Sequence, residues 1–244
     1  MISGLRTRQY LFVLGHMRSY SSLLCHILGS HREIDGYCET HVKYRTRFDL
    51  IRLRSRVVKF TREPLEGRYV LDKILHNYPF TNSIVRSPHT RAVILVRRPL
   101  PTVQSIVNMG LHYSDIAWYR DLDVVARYYE ERLATLVRLA DELRGRVMFV
   151  EAETLLSRTG DVLQSIGGLL ELSEPLRTDY KRFAHTGERG FGDPSETIST
   201  GRVTSAAREP RTPVILPAAL TARLEMAYAA CSASLRDRCE ALAA

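Results

Sequence analysis

Arg18 stands in a short turn with Ser19, Ser21 and Ser22, directly after the apolar run Tyr10–Leu14 and directly before a run of helical spacing. A guanidinium, several hydroxyls and the unpaired N–H groups that open a helix form together a donor set for an anion such as a phosphate ester. The turn is not a Walker loop. The G-x-x-x-x-G-K-[ST] spacing is missing, Gly15 is the glycine nearest the turn, and the cation precedes the hydroxyls instead of adjoining them. A serine-capped strand-to-helix connection without a ligand has the same local sequence, so the stretch alone leaves both readings open. A second cation and hydroxyl recur downstream, where Arg97 ends the apolar run Ala92–Val96 and Ser105 follows eight residues later. That separation is about two helical turns, which puts the hydroxyl beside the helix and not at its tip. Glu39 and His41, an acid and an imidazole, lie just past a short possible strand, Ile34–Tyr37, at the edge where open α/β sheets bind ligands.

These groups need a scaffold, and the apolar pattern supplies one. Short buried runs at 10–14, 34–37, 69–73, 92–96 and 146–150 read as strands. Amphipathic stretches follow them: Leu23 to Leu28, closing near Gly29; a helix opened by Pro99 with Leu100, Val103, Ile106 and Val107 on one face; a long helix from Asp121 to Leu143; and one from Gly160 to Leu170. Repeated strand-then-helix units predict an α/β fold with a central parallel sheet and helices on both faces. In such sheets the loops past the strands' carboxyl ends form the ligand edge. Residues 186–217 break the pattern with Gly187, Gly190, Gly192, Pro194, Gly201, Pro210, Pro213 and Pro217, and read as an irregular, functional lid or loop. A closing helix is expected over 218–242, and the whole of 1–244 reads as a single domain.

Charge narrows the partners. Lys plus Arg number 35 against 27 Asp plus Glu, a formal net charge of +8, which favours anionic ligands. From Lys43 to Arg62 the chain carries Lys43, Arg45, Arg47, Arg52, Arg54, Arg56, Lys59 and Arg62 against Asp49 alone. This is either a solvated helix face or a basic wall for an acidic acceptor or cofactor. Stacking on nucleic-acid bases would need interleaved aromatics, and the segment offers Tyr44, Phe48 and Phe60, so no nucleic acid is expected. Cys25, Cys38, Cys231 and Cys239 form no C-x-x-C pattern, the histidines are scattered, and no metal site is expected. No apolar run is long enough to span a bilayer and no signal peptide is evident, so a cytoplasmic location is expected. The spacing leaves the oligomeric state open.

The two cation-and-hydroxyl motifs, in this order, resemble those of the sulfotransferases that use 3′-phosphoadenosine 5′-phosphosulfate. The family's first motif is a strand, then Lys or Arg, then Ser-Gly-Thr-Thr, and Gly15–Leu24 is similar to it. The second is an apolar strand ending in Arg with a Ser eight positions on, as Arg97 and Ser105 stand here. Glu153-Thr154-Leu155 resembles the family's Glu-x-Leu block, and Arg189-Gly190-Phe191-Gly192-Asp193 resembles a shortened late Arg-Lys-Gly loop. The resemblance runs from about residue 9 to 195, is nearest to bacterial members, and extends to tyrosylprotein sulfotransferases, where a glutamate follows the loop arginine as Glu39 follows Arg18. Three positions depart from the pattern: Tyr20 replaces a glycine, Arg98 stands where an acid is common, and the late loop is one residue short.

The resemblance implies a P-loop-NTPase-like sulfotransferase fold and in-line transfer of a sulfuryl group to an acceptor hydroxyl of a small molecule, sugar or phenol. It implies that Arg18, Ser19, Tyr20, Ser21 and Ser22 hold the 5′-phosphosulfate and that Arg97, Ser105, Arg189 and Gly190 hold the 3′-phosphate. Adenosine 3′,5′-bisphosphate would be the product. Arg18 would stabilise the leaving phosphate, and Glu39 would be the general base with His41 as the second candidate. A nucleotide-dependent phosphotransferase and a non-catalytic nucleotide- or polyanion-binding protein remain as alternatives, the first lacking a Walker lysine.

Overall fold

The protein was analysed as a computed structural model, which describes residues 8–113, 115–204, 212–240 and 242. Five strands, β1 (Gln9–Gly15), β2 (Ile34–Asp35), β3 (Tyr69–Ile74), β4 (Thr90–Val96) and β5 (Val147–Glu151), form one sheet in the order β2-β3-β1-β4-β5. Every pairing is parallel, with Leu11 opposite both Leu71 and Arg91, so the sheet is the expected α/β one. β1 lies at the centre, between β3 and β4, and the connection from β3 to β4 crosses over it.

The strand residues alternate between two cores because successive side chains point to opposite faces. Phe12, Leu14, Val70, Ile94, Val96 and Phe149 belong to the first core. Against it pack α2 (Asp49–Thr61) through Leu53 and Val57, α4 (Pro99–His112), α5 (Leu122–Glu142) and α8 (Ala218–Arg238). Leu11, Val13, Leu71, Val93, Leu95 and Val150 form the second, covered by α1 (Ser21–Gly29) and α7 (Thr159–Leu169). Two short helices, α3 (Asn82–Val85) and α6 (Ala152–Ser157), complete the connections. Each fully buried Leu or Val contributes about 1.5–3 kcal/mol. Burial on both faces explains why β4 reads as an unbroken apolar run.

Three boundaries differ from those read in the sequence. The strand expected over 34–37 stops at Asp35, because Gly36 turns at φ +109° and a Cβ there would meet the Leu71 carbonyl oxygen at 2.7 Å. The closing helix ends at Arg238, not near 242: Cys239 is extended, and the Glu240 N–H bonds the Val147 carbonyl as a short bridge on the edge of β5. Within 186–217, Glu196–Thr200 forms a 3-10 turn anchored by buried Ile198, and Asp179 bridges Arg202. Residues 205–211, with Pro210, lie outside the described residues. No helix among the described residues is long and apolar enough to cross a membrane.

One buried cation fastens the ligand edge. Arg132 of α5 is 1% exposed, and its Nε donates to the Gly15 carbonyl at 2.7 Å, its Nη2 to Ile74 at 2.7 Å, and its Nη1 to His76 and to Asn77 Oδ1, both at 3.1 Å. Burial lowers its pKa to about 10, which leaves it charged at neutral pH. Arg132→Met strands these acceptors, and we expect it to cost roughly 3–5 kcal/mol and to lower the calorimetric midpoint by about 10 °C. Arg132→Lys should recover only part, because an ammonium cannot span the carbonyls a planar guanidinium reaches.

Candidate active site

The loop leaving β1 holds its shape through side chains that belong to β4 and α4. Arg18 and Tyr20 both take left-handed backbone conformations, φ 65° and 63°, at a cost of about 1–2 kcal/mol each. The contacts around them offset that cost. Arg18 Nε donates to Ser105 Oγ at 2.8 Å, Arg97 Nη1 donates to the Arg18 carbonyl at 3.1 Å, and the Arg97 guanidinium lies 4.5 Å from the centre of the Tyr20 ring. Tyr20 thus fits a glycine-like backbone position because its ring is carried off onto Arg97. Behind them, His16 Nδ1 donates to Met17 O at 2.8 Å while Nε2 accepts the Arg97 N–H at 2.9 Å, which fixes one neutral tautomer. Burial holds its pKa down at about 4.

α1 starts at Ser21 with no side chain capping its first turn, and Ser21, Ser22 and Leu23 line a cavity of about 410 Å³. The open end of the helix therefore faces space in which an anion could replace the missing cap. Arg18 and Tyr20 line the same cavity, as do Arg189 and Gly190. Three residues of the expected donor set do not line this cavity. Ser19 is fully buried and spends its hydroxyl on the His16 carbonyl at 2.8 Å. Arg97 and Ser105 are buried behind Arg18 and Tyr20 and are absent from the cavity wall.

Lys73 joins the site without having been singled out in the sequence. It is 2% exposed at the end of β3, lines the cavity, and its Nζ donates to Ser22 Oγ at 3.1 Å. The available signal was a lysine closing an apolar strand, since a buried ammonium needs partners. Its neighbour Asp72 organises the opposite loop by accepting from the Thr40 N–H and hydroxyl, each at 2.8 Å, and from the Tyr44 hydroxyl. Thr40 lies between the two expected proton carriers, so Asp72 positions both. Glu39 is 8% exposed, lines the cavity, and its Oε1 has no hydrogen-bond partner among the described residues. His41, at φ 56°, brings Nδ1 to 3.6 Å from that oxygen and turns Nε2 to the Gly190 carbonyl at 3.1 Å.

The cavity lining also includes the mostly apolar set Leu75, Met109, Tyr113, Ile116 and Tyr119. Arg189 stacks 4.5 Å from the Tyr113 ring and pairs with Asp115 at 2.6 Å. Asp193 approaches Arg18 Nη1 at 3.4 Å from the glycine-rich segment, so a carboxylate already leans on the cation that an incoming anion would use. Among the described residues no cluster of three or more His, Cys, Asp or Glu could hold a metal ion.

The sequence matches no protein-family model and no curated protein. The fold is similar to those of solved sulfotransferases. The sulfotransferase domain from the curacin biosynthetic pathway matches with a TM-score of 0.63 at 15% identity, over 92% of this chain and 98% of that one. A sulfotransferase from Alicyclobacillus acidocaldarius gives 0.57 at 15% identity over 95% of each chain. The sulfotransferase domain of the Synechococcus PCC 7002 olefin synthase gives 0.52 at 17% identity, over 93% of this chain and 96% of that one. None of these three is a tyrosylprotein sulfotransferase, and at such identities the likeness is one of fold.

Two measurements test this geometry. Removing the Asp193 charge should help an anion reach Arg18, so Asp193→Asn should bind pyrophosphate several-fold more tightly in a magnesium-free titration; weaker binding would mean that Asp193 organises the site. Burial pushes the Asp72 carboxyl up to about 6 against the donors around it. A raised carboxyl pKa means that the folded state holds a proton the unfolded state has released, so its contribution to stability falls as pH rises from about 4 to 6. The stability of Asp72→Asn relative to wild type should therefore improve by on the order of 2 kcal/mol between pH 4 and pH 7 in denaturant titrations. A difference that stays flat would place the carboxyl near its ordinary value.

Proposed function

We propose that the protein is a sulfotransferase that moves a sulfuryl group from 3′-phosphoadenosine 5′-phosphosulfate to an acceptor hydroxyl. One observation carries the reading: Glu39, whose buried Oε1 has no hydrogen-bond partner among the described residues, lines the same cavity as Arg18, Lys73 and the uncapped start of α1. A proton acceptor and a cationic cradle in one cavity are what transfer from a phosphate leaving group to a hydroxyl requires. The likeness of fold to sulfotransferase domains supports the same conclusion.

The cavity's chemistry suits the nucleotide donor. Arg18, Lys73, Ser21 and Ser22 would hold its phosphosulfate end, and Leu23, Leu156, Tyr180 and Ile198 offer apolar surface for a base. Arg189 and Gly190 would lie toward its second phosphate. Arg97 and Ser105 then act as positioning residues, fixing the Arg18 carbonyl and guanidinium.

In the reaction Glu39 accepts the acceptor's proton as the hydroxyl oxygen attacks sulfur and the bond from sulfur to the bridging phosphate oxygen breaks. Charge develops on that bridging oxygen. Arg18 and Lys73 neutralise it, Arg18 as a fixed electrostatic partner because a guanidinium does not give up its proton near neutral pH. His41, beside the Glu39 oxygen but exposed, is placed to pass the proton on to solvent.

The test is calorimetric titration of adenosine 3′,5′-bisphosphate without magnesium, paired with turnover of the sulfate donor. Wild type should bind. Lys73→Ala and Arg18→Ala should each lose about 10–100-fold in affinity, as expected for a charge-assisted hydrogen bond removed from a buried site. Glu39→Gln should bind within a few-fold of wild type yet lose about 10²–10⁴ in turnover. Binding that appears only with magnesium and a nucleoside triphosphate would replace this reading with a phosphotransferase.

A further inference from the structure

The basic segment that follows His41 plays no part in the reaction just described, yet it carries most of the chain's excess charge. Residues 43–62 hold eight cations against one acid, so they account for seven of the chain's eight net positive charges. All eight cations are exposed, whereas Asp49 is buried. Its carboxylate is spent on the Arg45 and Thr46 N–H groups, at 2.9 and 2.8 Å, and on Arg52 at 2.9 Å. Among the described residues, no other cation of this segment has a carboxylate within 4.0 Å.

The cations converge. Lys43, Arg45, Arg52 and Arg56 line a groove over the start of α2, with Ile51 and Val42 as its apolar part, and His41 lines both this groove and the reaction cavity. Arg56 also donates to the carbonyl of Thr40, the residue between Glu39 and His41. The groove therefore abuts the backbone that carries the acceptor base. A nucleic acid is a poor occupant, because Tyr44 is fully buried and Phe60 packs on Phe191, which leaves Phe48 as the segment's one exposed aromatic.

We propose that the hydroxyl acceptor carries an anionic group, a carboxylate or a phosphate, which the groove of Lys43, Arg45, Arg52 and Arg56 holds while the hydroxyl passes His41 to reach Glu39. This rests on the assignment of Glu39 as the acceptor's base. The groove then selects anionic acceptors and sets the distance between their charge and their reacting oxygen.

Phenols with alkyl tails of increasing length test the idea, each ending in a carboxylate, a phosphate monoester or a neutral primary amide. Binding is measured calorimetrically with adenosine 3′,5′-bisphosphate present. At one or more tail lengths the carboxylate or phosphate should bind about tenfold more tightly than the amide, the sum of several partly exposed ion pairs. That preference should shrink between 50 and 200 mM salt, as expected for exposed charges. In Lys43→Glu/Arg45→Glu it should vanish or invert while the affinity for adenosine 3′,5′-bisphosphate stays unchanged. No acid-over-amide preference at any length, or a preference that survives the double substitution, overturns the proposal. Failure of wild type to bind adenosine 3′,5′-bisphosphate is a separate readout that removes the sulfotransferase reading itself.

Discussion

The carbonyl groups that end β1 and β3 would ordinarily need either water or another backbone to accept their hydrogen bonds, and in this protein the guanidinium of Arg132 satisfies them from within the core. Its planar fork reaches Gly15 and Ile74 in adjacent strands and continues to His76 and Asn77 beyond them. The strands can thus stop together, and the chain can leave them in two directions to enclose a cavity. Leaving buried acceptors unpaired is costly, so the clamp sets where the ligand edge lies. The β1 loop and the strand bearing Lys73 both start from points that Arg132 holds.

A second tier of buried polar groups holds the residues proposed to react. His16, Arg97 and Ser105 fix the loop that bears Arg18, and Asp72 with Tyr44 fixes the loop that bears Glu39 and His41. Most of their hydrogen bonds go to backbone or to a neighbouring side chain. The groups facing the cavity keep unspent capacity: an unbonded carboxylate oxygen on Glu39 and an uncapped helix end at Ser21. Preorganisation of this kind lets charge be stabilised without rearrangement during the reaction. It also divides labour between residues that look alike in sequence, since Ser19 braces the loop while Ser22 meets Lys73.

Much of the architecture was legible in the chain. Short continuous apolar runs located the main strands, the 3.6-residue pattern located α5 to within one residue at each end, and Pro99 marked the start of α4. Arg18, Glu39 and His41 could be singled out because polar groups past strand ends belong to the ligand edge. Lys73 was passed over: a lysine near the end of an apolar strand signals a buried ammonium but not its partner, and Ser22 lies 51 residues earlier. The placing of Arg97 and Ser105 behind the cavity was equally hidden. Their eight-residue spacing fixes a helical position but not which side chain, ligand or neighbour will take up their hydrogen bonds.

The sequence by itself determined the α/β class, the order of elements and the residue types available at the ligand edge, because those follow from local periodicity and chain direction. Tertiary structure decided which of those residues share one cavity. That choice depends on the placing of β1 between β3 and β4, on the left-handed turns at Arg18 and Tyr20, and on which buried donors find acceptors 51 to 117 residues away in the chain. Long-range hydrogen bonding in a low-dielectric interior is set by packing, and no local pattern encodes it.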